Sequence, residues 1–260
     1  NPRTNARSRM PHLVSLSFGR LNLNAPPPAD LPADAQITDP RWSPDSRLLA
    51  LIHSGEGGME LWITNASTGR THRLNIPPLN GAFGIPFRWL PDSSGLLARC
   101  IPVDRGDPPL APQVATEPII REAVGRAAPK RTYQDLLDSP HSERLFEYYF
   151  TGQLWMVPLE APPTPIAEPG LIATFDMAPR GDLILTERVE RPFSYLVPYH
   201  RFASRVDLID RQGRTVREIA RLPLAEDVPA IFDAVPTGPR GFHWRADAPA
   251  ELVWVEAADG

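Results

Sequence analysis

The stretch from Thr186 to Phe202 concentrates groups that could hold a peptide. Arg188, Arg191 and Arg201 supply guanidinium forks, Glu187 and Glu190 supply carboxylates, and Phe193, Tyr195 and Tyr199 supply walls. A guanidinium meets a carboxylate through two parallel N–H donors, so each arginine is a candidate grip on an acidic side chain or a carbonyl. Arg191 ranks first, because Pro192 restricts its backbone and Phe193 and Tyr195 can wall a pocket around it. Arg201 ranks second, with Tyr199 nearby as a further contact. Arg188 ranks third, since Glu187 or Glu190 can absorb its charge. The competing reading of the same residues is a solvated long hairpin with its aromatics on the inner face.

The remaining reactive side chains exclude more chemistry than they offer. No Gly-x-Ser-x-Gly occurs, so a hydrolase nucleophile of that type is absent from this chain. His12, His53, His72, His141, His200 and His243 show no metal-ligand spacing, and the lone Cys100 cannot form a zinc knuckle or an internal disulfide. No metal and no cofactor is therefore expected. Cys100 ends an apolar run and reads as a small buried hydrophobe. Gly55-Glu56-Gly57-Gly58 is followed by no Gly-Lys-Ser/Thr, and it reads as a hairpin turn rather than a phosphate cradle. Asp45 and Asp92 could be imagined as paired catalytic carboxylates, but both sit in turns where Asp serves backbone hydrogen bonding.

What must position the Thr186–Phe202 stretch is a set of repeated short strands. Trp42-Ser43-Pro44-Asp45-Ser46 leads into Leu48–Ile52, and Trp89-Leu90-Pro91-Asp92-Ser93 leads into Leu96–Ala98. The two prolines lie 47 residues apart (91 − 44), near the roughly 40–45-residue period of a four-stranded propeller blade. Met59–Thr64 alternates apolar and polar in the manner of a half-buried strand. Gln153–Val157 matches Glu60–Thr64, with Trp155 on Trp62. A third, degraded repeat begins at Phe175–Gly181, and a fourth at Phe242–Asp247. The expected fold is all-β: a β-propeller segment of about four four-stranded blades in an incomplete ring. Blade one covers about 37–76, blade two about 84–167, blade three about 172–222, and blade four starts near 240. The Trp residues mostly fall at equivalent positions, which predicts packing roles for them.

Blade two is interrupted by an insertion over 103–152. Its first half, with Pro108-Pro109, Pro112 and Pro118, reads as extended loop. In its second half, Thr132 and Asp135 suit a capping box, and Ser139-Pro140 supplies an N-cap and N1 proline for a helix over His141–Tyr149. An insertion of this length carrying capping signals reads as ordered.

Bulk properties narrow the function classes. With 27 basic and 31 acidic residues, the net charge of −4 offers no field for nucleic acid. No run reaches the 18 or so apolar residues of a membrane span, so no membrane partner is expected. Proline, at 32 of 260 residues, is about twice its usual share, which disfavours long helices. Four repeats, the last unfinished, fall short of the roughly 300–350 residues of a seven- or eight-bladed ring, so a longer parent protein is expected.

Several strings give the sequence a family likeness. Arg131–Leu137, Leu145–Tyr149, Arg191–Tyr199, Leu222–Glu226, Thr237–Arg240 and Trp244–Ala250 resemble the glutamyl endopeptidase branch of the prolyl oligopeptidase family. The resemblance spans essentially the whole chain. It implies a serine peptidase whose N-terminal β-propeller covers a C-terminal α/β-hydrolase domain carrying a Ser-Asp-His triad. Only propeller is matched here, so no catalytic residue carries over, and the hydrolase domain is expected beyond the chain. The implied role is a substrate-gating propeller of a serine-type endo- or oligopeptidase that takes peptides, with cleavage after Glu as its specificity. By analogy with related dipeptidyl peptidases, the substrate-binding candidates are Arg191, Arg201, Arg188 and Tyr199. The resemblance also implies export, to the periplasm or outside the cell. The alternative is a non-catalytic β-propeller interaction scaffold.

Overall fold

A computed structural model describes residues 5, 11–19, 28–112, 133, 136–226 and 238–257. Its organising unit is the turn that the repeats share. The backbone N–H donors of Ser43, Leu90 and Ala178 bond the carbonyls of Leu48, Gly95 and Leu183, and those of Ser46, Ser93 and Gly181 bond back to Ser43, Leu90 and Ala178. Closing the turn this tightly needs a left-handed residue, found at Ser46 (φ 59°), Ser93 (φ 61°) and Gly181 (φ 81°). The aspartates stabilise it locally. Asp45 accepts from the Arg47 amide at 3.1 Å, and Asp92 accepts from the Ser94 amide at 3.0 Å. That is the turn role read from the sequence.

Each turn joins the first two strands of an antiparallel sheet. The first sheet runs in chain order through β1 (Ile37–Trp42), β2 (Leu48–Gly55), β3 (Gly58–Asn65) and β4 (Thr71–Arg73). The second contains β5 (Phe87–Trp89), β6 (Gly95–Cys100), β7 (Gln153–Pro158) and β8 (Thr164–Pro165). The third contains β9 (Ile172–Met177), β10 (Leu183–Val189), β11 (Ser204–Asp210) and β12 (Thr215–Leu222). A fourth sheet has β13 (Arg240–Trp244) and β14 (Leu252–Val255) among the described residues. Up-and-down four-stranded sheets repeated in sequence make the molecule an incomplete β-propeller. The register confirms the repeat: Trp62 lies opposite Leu51 and Trp155 opposite Ala98, the same offset in both blades. Gly55 pairs with Gly58 across a two-residue turn, as the glycine run predicts.

The core lies between sheets. Ala50, Ile52, Leu61 and Ile63 of the first pack on Phe87, Leu96, Ala98 and Val157 of the second. Leu97, Leu154 and Met156 pack on Phe175, Ile184 and Ile209 of the third. Leu185 and Val206 then meet Trp244. Every residue of β6 is buried, because successive side chains face two neighbouring sheets. Two tryptophans depart from the packing role. Trp42 is 50% exposed and Trp254 44%, each on an edge strand with an open side.

The described second half of the insertion contains α1 (Pro140–Phe150), with Ser139 as N-cap and Pro140 at N1, as its sequence predicts. Ser139 and Ser142 form a reciprocal capping box. The Thr132–Asp135 pair lies outside the described residues.

Candidate functional site

The stretch between β10 and β11 is built onto α1. Phe146 meets Phe193 and Phe202 at ring-centroid distances of 5.2 and 5.8 Å, and Phe83 packs edge-on against Phe150 and Tyr199. With Val189 and Val197 these rings form a separate apolar cluster over the end of the third sheet. Phe193 and Phe202 thus face inward against the helix, whereas Tyr195 is half-buried and Tyr199 stays exposed.

Arg191 closes this assembly from outside. Its Nε and Nη2 donate to the two oxygens of Glu147, each at 2.8 Å, and Nη1 donates to Glu143 at 2.9 Å. The guanidinium also stands 4.6 Å over the Phe193 ring. Bonds from Glu147 and Glu143 hold its pKa above the ordinary arginine value. Tyr195, partly desolvated and close to Glu143, is likewise pushed up.

The other three candidates are spread out. Tyr199 and Arg201 belong to a one-turn 3-10 helix, Tyr199–Arg201. Arg188 leaves in another direction: Nη1 makes a long 3.4 Å contact with the Glu168 carbonyl, and its strand places it opposite Arg205. Burial, then the charge of Arg205, lowers the Arg188 pKa. The glutamates read as its partners go elsewhere. Glu187 accepts from Ser204 Oγ at 3.0 Å, and Glu190 lies 3.6 and 3.5 Å from Arg205 and Arg221.

Arg201 alone of the four lines a cavity of about 670 Å³ between the third sheet and β13. Its polar wall includes Arg88, Asp176, Glu187, His200 and Arg240. Its apolar wall includes Phe175, Val206 and Phe242. Burial raises the Asp176 carboxyl pKa, opposed by the nearby Arg88 charge. Burial and Arg201 lower the His200 pKa, which keeps its ring neutral at neutral pH. The space can accept a peptide side chain among fixed donors and acceptors, and within it the Ser204 hydroxyl donates to the Glu187 carboxylate rather than to a histidine. No group of three or more His, Cys, Asp or Glu side chains that could hold a metal exists among the described residues. Arg88, Asp176 and Arg240 escaped the reading of the sequence, although Arg88 and Arg41 stand at the same repeat position and Arg240 closes one of the family-like strings.

The chain is 36% identical over 239 residues to a rice (Oryza sativa subsp. japonica) protein described as a probable glutamyl endopeptidase, chloroplastic. That match covers 88% of this chain and 25% of the rice protein. The Arabidopsis thaliana protein of the same description is 33% identical, over 98% of this chain and 28% of its own length. This chain belongs to the prolyl oligopeptidase family, in its glutamyl endopeptidase-like branch. It spans about a quarter of the length of the curated relatives it matches. No family model matches the chain. Among solved structures, the acylaminoacyl peptidase of Pyrococcus horikoshii aligns at a TM-score of 0.43 and 13% identity, covering 73% of this chain and 25% of that one.

Proposed function

We propose that this glutamyl endopeptidase-like propeller segment gates substrate for a serine-type endo- or oligopeptidase, with cleavage after Glu. The observation that carries the reading is 36% identity over 88% of the chain to a protein of that description. The chemistry would come from an α/β-hydrolase domain of the same protein, since this chain offers no Gly-x-Ser-x-Gly nucleophile. The propeller's part is to exclude folded protein and admit peptides. For a substrate carboxylate, Arg201 is the best placed of the predicted arginines, because it lines the cavity. Arg191 could take that role only by giving up its two glutamates, and Arg188 and Tyr199 would act from the cavity's surroundings.

The test compares the full-length parent with this 260-residue chain on chromogenic peptides containing Glu. The parent should cleave after Glu, lose activity to a serine-directed covalent inhibitor, and spare folded proteins; the isolated chain should be inert. Inhibitor-sensitive turnover by the isolated chain would overturn the division of labour. A parent that cleaves nothing would favour the interaction scaffold.

A further inference from the structure

One position recurs on the first strand of every sheet. It lies two residues before the turn-opening position and is occupied by Arg41 on β1, Arg88 on β5, Asp176 on β9 and His243 on β13. All four are exposed residues, although the Asp176 carboxyl itself is partly desolvated, and buried neighbours flank three of them: Phe87, Phe175 and Trp244. Each stands on a sheet's edge strand, and in a propeller these first strands line the central channel. Two hydrogen bonds bring the positions of successive blades together. Trp89 Nε1 donates to the Arg41 carbonyl at 2.9 Å, and Trp244 Nε1 donates to the Asp176 carbonyl at 3.3 Å. Between the second and third sheets the equivalent residue is Met177, which has no such donor. There the contact is instead electrostatic: Arg88 and Asp176 line one cavity and feel each other's charge.

We propose that Arg41, Arg88, Asp176 and His243 form a charged collar on the inner rim of the propeller, and that the collar sorts incoming peptides in favour of acidic ones. The inference rests on the gating reading above. The four positions carry two guanidinium groups and a single carboxylate, so the collar is locally basic on a chain whose net charge is −4. A positive ring in a narrow, low-dielectric mouth concentrates anionic segments and repels cationic ones, whatever residue is cleaved. Asp176 works against that preference. It sets how strongly the collar discriminates, and it gives the idea a variant of opposite sign.

The experiment uses the full-length protein and short fluorescent peptides built from D-amino acids, which resist hydrolysis, in acidic, neutral and basic versions. Binding is read by fluorescence anisotropy at low and at physiological salt. The acidic peptide should bind most tightly, and its advantage should shrink with salt. Arg88→Gln should weaken the acidic peptide roughly three- to ten-fold and leave the neutral one unchanged, as expected for loss of one steering charge. Asp176→Asn should strengthen acidic binding, which a merely damaged fold would not do. Equal affinities for all three peptides, or no change of preference in either variant, would overturn the collar. Hydrolysis of ordinary peptides is measured separately. Cleavage with charge-blind binding removes the collar and leaves the gating reading, whereas charge-selective binding without cleavage keeps the collar and removes the peptidase.

Discussion

Arg99 is the place to test what holds successive blades together. It is the penultimate residue of β6 with only 1% of its surface exposed, and no carboxylate pairs with it among the described residues. Instead its guanidinium donates to four backbone carbonyls: Asn80 at 3.0 Å, Ile172 at 2.7 Å, Ala173 at 3.1 Å and Gly84 at 3.2 Å. Phe83 and Phe175 flank it, each with its ring centre 5.6 Å away. One side chain of the second sheet is thus tied to β9 of the third. Burial, with Arg88 nearby, brings its pKa down to about 10. Relative to an ordinary arginine, holding the charge inside costs about 3 kcal/mol. Truncation to Met would recover that cost but leave four acceptors short of a donor, at about 2 kcal/mol each. Arg99→Met should therefore destabilise by about 5 kcal/mol. Arg99→Lys should be no milder, because it keeps the buried charge without the planar fork. Urea unfolding followed by tryptophan fluorescence measures both. If Arg99→Met came within 1 kcal/mol of the parent chain, desolvation would dominate and the clamp would be refuted. A mild Arg99→Lys beside a severe Arg99→Met would show that charge, not fork geometry, carries the effect.

Three further outcomes follow from single contacts. Gly213 has φ 81°, and a Cβ there would stand 1.2 Å from the Ile166 carbonyl oxygen, so Gly213→Ala should lower the melting temperature sharply while Gly57→Ala, with open space around it, should not. Because burial raises the Asp176 pKa, the folded form keeps that proton to a higher pH than the unfolded chain, and stability falls as pH rises through the interval between the two values. Asp176→Asn should accordingly raise the melting temperature at neutral pH and change nothing below the ordinary carboxylate range; a gain that persists in acid would assign the effect to something other than ionisation. Finally, β14 pairs only with β13 among the described residues and exposes Trp254 and Val255, so the isolated chain should self-associate or melt broadly, and Val255→Lys should reduce association in sedimentation; a strictly monomeric chain with a sharp melt would count against an open edge.

What could be read in the sequence was what is local. The Pro-Asp-Ser turns and Ser139-Pro140 could be read because each acts within a few residues, and the match of Trp155 to Trp62 carried the register across a long insertion because two copies of one repeat can be laid on each other. What could not be read depends on which distant segment comes to lie alongside. Arg99 alternates with apolar neighbours on β6 and looks like the solvent face of a half-buried strand; only the arrival of β9 makes that face interior. Arg191 shows the same limit at the candidate site. Its partners, Glu143 and Glu147, lie on a helix inserted into the preceding blade, and nothing near Arg191 in sequence announces them.

That pairing changes how the site should be understood. The insertion and the blade-three loop fold as one assembly, through an aromatic cluster inside and an arginine outside. An exposed pair of this kind is worth only about 1 kcal/mol to stability, so its significance is positional. It fixes the loop that carries Tyr199 and Arg201, and that loop brings His200, Arg201 and Phe202 to the cavity. An arginine chosen for its chemistry thus gains a role through its geometry. On the proposed gating role, specificity would depend on the helix, which positions the loop, as much as on the residues that touch the substrate.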